Sequence, residues 1–145
     1  MTVMLLGVLS AGAATGRIIK ALPFFIDLEG RHMRSPNLMD RDSYQTYLRK
    51  HPADRSGIRF DVQWKTKGKS TAPLKMKLEL KGGQHGGVPQ ELTLEADAKP
   101  NGWFSHWTSL PLMGEAYKNF GEVIAWRATL WEGDKMIGEQ KSFLW

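Results

Sequence analysis

The side chains that most often carry chemistry are thinly spread along this chain. Its four histidines, His32, His51, His85 and His106, stand at no metal-ligand spacing, and neither HExxH nor HxH occurs. No cysteine is present. That removes disulfides, thiolate zinc sites, a cysteine nucleophile and an anchor through a lipidated cysteine. No G-x-S-x-G elbow supplies a serine nucleophile. One acid–base cluster remains: Asp27, Glu29, Arg31 and His32 fall across a single turn. Such groups could move a proton on a bound substrate. Neighbours in a charged loop also pair routinely with one another, for under about 1 kcal/mol on a surface, and that reading is favoured. No metal or cofactor is expected.

Three further features bear on binding. Gly82, Gly83, Gly86 and Gly87 flank Gln84 and His85, but no Lys-Ser/Thr and no helix start follow, so this is a hairpin loop and not a phosphate cradle. Lys65, Lys67, Lys69, Lys75, Lys77 and Lys81 crowd one hairpin. They read as a solvated face that deters edge pairing, since no aromatic residue interleaves them in sequence as a nucleic-acid stacking platform requires. No nucleic-acid partner is expected. Six tryptophans are the most specific oddity. Trp64 and Trp126 belong to apolar faces and are expected in the core. Trp103, Trp107 and Trp131 fall on strand positions whose parity leaves them facing water or the cover of a loop. Exposed rings on a sheet can hold sugars by their apolar faces.

These residues must be carried by strands. Positions 56–65 alternate Ile58, Phe60, Val62 and Trp64 with polar residues, and 74–81 and 91–98 alternate in the same way. Alternation with one wet face is the mark of antiparallel sheets. Further strands are expected at 17–28, where Pro23 confines the segment to an edge or bulge, and at 103–110. A C-terminal hairpin is expected across 121–145. There Ile124, Trp126, Ala128 and Leu130 share a face and Glu132, Gly133 and Asp134 form the turn. Residues 117–121 read as a turn. Between the first two strands, 29–56 is a long charged insertion with a short helix over 41–50, capped by Asp40, clamped by Tyr44 and Leu48 and ended by Pro52.

Seven strands with an aromatic-rich final hairpin resemble an immunoglobulin-like or fibronectin-type β-sandwich, a resemblance of fold alone. The expected architecture is thus a single all-β domain over 17–145 with one helix in the insertion. Residues 1–16 carry no charged side chain, and 1–13 combine an apolar run with small residues, the pattern of a signal peptide cleaved near Ala13 or Ala14. The run is too short to span a bilayer as a helix, so no transmembrane segment is expected in the mature chain. Export to the periplasm or medium is the expectation. The alternative is a cytoplasmic protein whose N-terminus is a buried strand.

The net charge of +5 allows anionic partners and demands none. The function expected is non-catalytic binding, of a protein partner first and a glycan second. The expected site lies where the insertion meets the fifth strand, with Arg31, His32, Arg34, Trp103, Trp107 and Trp131 as contacts. The rivals are an enzyme or enzyme accessory using the 27–32 turn, and a structural subunit joined through an edge strand.

Overall fold

The computed structural model describes residues 14–83, 88–101 and 103–145. The expected leader at 1–13 and the centre of the glycine-rich loop lie outside the described residues. Seven strands form two antiparallel sheets. β1 (Thr15–Asp27), β2 (Arg55–Lys67) and β5 (His106–Met113) make a three-stranded sheet in the order β1-β2-β5. β3 (Leu74–Gly83), β4 (Gln90–Asp97), β6 (Glu122–Glu132) and β7 (Lys135–Lys141) make the other, in the order β4-β3-β6-β7.

The alternating residues build the core between the sheets. Phe60, Val62 and Trp64 of β2 meet Met76, Leu78 and Leu80 of β3, with Leu110, Leu112, Ala128 and Leu130. Trp64 is wholly buried, and its indole N–H donates to Thr108 Oγ1 at 2.9 Å, so the ring is enclosed without an orphaned donor. The sheets meet closely where a Cβ on Gly138 of β7 would lie 3.3 Å from the Gly16 carbonyl carbon of β1. A side chain at Gly138 would push the two backbones apart by a few tenths of an ångström.

Local details differ from the sequence reading, each for a physical reason. Helix α1 (Leu38–Lys50) starts three residues earlier than expected, because Asn37 and not Asp40 is the cap: its Oδ1 accepts from Met39 N–H at 2.8 Å and Asp40 N–H at 3.4 Å. Asp40 lies in the first turn, and Tyr44 and Leu48 form the buried stripe. A second helix, α2 (Gly114–Phe120), stands where a turn was expected. It spans under two turns and buries Phe120 alone, too little for a period of 3.6 to be visible. Gly121, at φ +86°, ends it.

In β6 a bulge opposite Lys81/Gly82 turns Ile124 out to 53% exposure while Ala125 is buried. The run therefore does not keep one face throughout. Trp126 is half-buried and meets Phe60 edge-on, its centroid 6.2 Å away, so it borders the core and does not fill it. β5 begins only at His106, which leaves Trp103 and Phe104 in the preceding loop at 89% and 86% exposure.

Candidate functional site

Helix α1 is fastened along the free edge of β1 by three polar side chains. Gln45 is the first. Its Oε1 accepts from the Phe25 N–H at 2.7 Å, and its Nε2 donates to the carbonyls of Phe25 and His32 at 2.9 and 2.8 Å. The amide thus stands in for a neighbouring strand and closes the edge at that point. The second is Asp27, 4% exposed. Its Oδ1 accepts from the backbone N–H groups of Glu29 and Arg31 at 2.9 and 2.8 Å, and its Oδ2 accepts from Arg31 Nε at 3.1 Å and from the Tyr44 hydroxyl. Burial pushes this carboxyl up, but the donors outweigh it, Tyr44 foremost, and bring it down to about 2. The Tyr44 hydroxyl moves up in turn, through burial and then through its bond to Asp27.

Arg55, at the start of β2, is the third fastening, and no pattern in the sequence singles it out. Its guanidinium donates to the carbonyl of Leu48 at 2.6 Å and to that of Arg49, which caps the C-terminal end of α1. It also pairs with Glu122 at 2.8 Å and lies 3.9 Å from the centroid of Phe25. One buried cation therefore ties α1, β1, β2 and β6 together.

The consequence is a cleft. It lies where α1 meets β1 and the β6 strand of the other sheet. A space of about 550 Å³ remains, within the range of ligand sites. Leu22, Pro23, Phe24 and Phe25 along the β1 edge, Ile58 and Phe60 of β2 and Val123, Ile124 and Trp126 of β6 line it. The helix contributes Arg41, Asp42, Gln45, Thr46 and Arg49 to the rim. Arg41 is engaged with Asp42 at 3.2 Å and lies over Phe24. Among the described residues no carboxylate pairs with the Arg49 guanidinium. The cleft is thus an apolar trough with an available cation at its lip.

No family model, curated protein or solved structure matches the chain.

The structure separates the six contact residues expected from sequence. Arg31 and Arg34 lie with Tyr44 and Tyr47 around a shallow hollow of about 150 Å³, Arg34 stacked 4.6 Å over the Tyr44 ring. His32 lies on the outer face of the three-stranded sheet, its ring 5.1 Å from Phe24 and its Nδ1 facing Arg59. Burial, and then the Arg59 cation, push its pKa down. Trp107 shares that face but pairs with Gln63, four residues along β2 from Arg59, about 13 Å away at strand spacing. Trp131 lies on the outer face of the other sheet, with Lys77 4.6 Å over its ring.

Trp103 sits at the opposite end of the sandwich from the insertion. The strand pairs run from Asp27 with Arg55 at one end to Ile18 with Trp64 and His106 at the other. The lysine hairpin also differs from its sequence. Trp131 from β6 and Trp145 from the tail do interleave it, with Lys81 4.0 Å over Trp145, because strands distant in sequence bring in the rings. The described histidines pack singly on aromatic rings, His51 on Tyr47 and His106 on Trp64. Among the described residues no group of three His, Asp or Glu is placed to hold a metal ion, and no helix is long and apolar enough to cross a membrane.

Proposed function

We propose that this is a non-catalytic binding domain that receives an apolar segment of a protein partner, flanked by an acidic residue, in the cleft between β1, α1 and β6. The single observation that carries the reading is the cleft itself: an aromatic trough of about 550 Å³ whose lip holds the uncommitted Arg49. Buried apolar and aromatic contacts would supply affinity and the arginine would fix direction. Placement in an exported, immunoglobulin-like class belongs to the same proposal. It is supported by the apolar 1–13 segment and by the pairing of a three-stranded with a four-stranded antiparallel sheet.

Two rivals fare less well on the geometry. Asp27, the centre of the acid–base cluster, has both oxygens engaged by donors and a pKa of about 2, which makes it an anchor and a poor general base. The rings of Trp107 and Trp131 each carry a lysine, Lys20 and Lys77, which leaves little free face for a sugar on those two rings. The test is panning of a phage-displayed peptide library. Selected peptides should carry aromatic or branched residues beside Asp or Glu. They should fail to bind Thr46→Trp, which fills the mouth from an exposed position, and should lose at least about tenfold on Arg49→Glu, a change of about 1.4 kcal/mol. Absence of enrichment, or peptides that bind Thr46→Trp unchanged, would overturn the proposal.

A further inference from the structure

The end of the sandwich away from α1 has a different character. The β4–β5 loop is clamped there: Asn101 Oδ1 accepts from Trp107 N–H at 2.7 Å, Asn101 Nδ2 donates to the Trp107 carbonyl at 2.9 Å, and Gln63 Nε2 donates to Ser105 Oγ at 2.7 Å. Between these fastenings stand Trp103 and Phe104, the two most exposed aromatic rings outside the C-terminal tail. Large apolar rings held in water by a polar clamp mark an interaction surface.

The same end is basic. Lys67 pairs with Thr15 and Lys65 with Arg17 in the terminal rungs of the β1–β2 ladder, and Lys69 lies in the loop beyond. Lys99 leads into the clamped loop. Among the described residues none of these five cations is paired with a carboxylate, whereas Lys75 and Lys77, further along β3, share Glu95. The exposed carboxylates nearby are Asp97 and Asp134. The chain also enters the domain here: the Cα of Ala14 lies 3.6 Å from where a Cβ on Gly68 would stand, so the uncharged 1–13 segment joins this end.

We infer that this end docks on an anionic phospholipid surface, with Trp103 and Phe104 entering the interfacial layer and Lys65, Lys67, Lys69 and Lys99 lying among the headgroups. Tryptophan favours that layer because its body is apolar and its N–H is wet. Basic residues beside it respond to the negative surface potential, each worth about fivefold in partitioning and screened by salt. A protein partner would need no anionic lipid, and the 1–13 segment alone would partition into neutral lipid as readily, so both alternatives are outcomes of the test.

The absence of cysteine permits clean single-site labelling of the full chain. An environment-sensitive nitrobenzoxadiazole label is placed at Ser70→Cys, on this end, or at Met39→Cys, on α1. Phosphatidylcholine vesicles with and without 30% phosphatidylglycerol are then added. Only the Ser70 label should brighten, only on the anionic vesicles, and the signal should disappear in 1 M salt. Lys65→Gln with Lys67→Gln and Lys69→Gln should lower partitioning about 100-fold. Trp103→Ser with Phe104→Ser should abolish the brightening while circular dichroism is unchanged. Equal brightening at both labels, equal binding to neutral vesicles, or wild-type binding by the triple lysine variant would overturn the inference.

Discussion

Acid should release the insertion before it unfolds the sandwich by other routes, and Asp27 sets the magnitude. Its carboxyl stands at about 2 in the folded chain against an ordinary value of 3.8. The side chain is 6% exposed, so solvent screening takes little from the effect. A difference of nearly two pKa units corresponds to about 2 kcal/mol of stability at neutral pH. Because the folded value is the lower one, this stability is complete above about pH 5. It is lost as the pH falls through 3.8 toward 2. Asp27→Asn removes the titration while keeping an oxygen for the Glu29 and Arg31 amides, though its amide nitrogen opposes Arg31 Nε. Urea titration of both proteins at pH 7 and pH 2.5 isolates the difference, since every other carboxylate is common to the pair. Wild type should lose about 1.5 kcal/mol more than Asp27→Asn on acidification, most of the full difference, because pH 2.5 still lies just above the folded value. Parallel losses would refute the assignment of Asp27 as the ionised anchor of α1.

Four further outcomes follow from the packing. Arg55→Gln should cost about 1–3 kcal/mol in denaturant titration, because it leaves the carbonyls of Leu48 and Arg49 without their buried donor. Trp64→Ala should fall in the 3–5 kcal/mol range for a fully buried large aromatic. Trp126→Ala should cost clearly less, because its ring is only partly buried against the core. Hydrogen exchange on Gln45→Ala should show faster exchange at Phe25 N–H, whose acceptor is the Gln45 side chain.

The β-rich character of the chain was legible because β2, β3 and β4 each keep a strict alternation, and the structure returns those strands within a residue or two. What escaped the sequence was non-local. The extra residue at Ile124 is visible only once β3 lies beside β6. Asp27 and Arg31 announced a cluster, yet its role depends on Tyr44, seventeen positions away on a helix. The cleft draws on β1, α1, β2 and β6, so no single segment could reveal it. One signal was available: Phe24 and Phe25 are adjacent in a strand and cannot share a face. Trp103 and Trp107 stand out by strand parity, but the Asn101 clamp that holds their loop joins residues on either side of it.

The most direct test of the binding account is the indole N–H spectrum of the protein titrated with a panned peptide. The Trp126 resonance, assigned by its loss in Trp126→Phe, should shift saturably while those of Trp103 and Trp107 stay in place. Movement of Trp103 and Trp107 with Trp126 unchanged would contradict the placement of the site in the cleft.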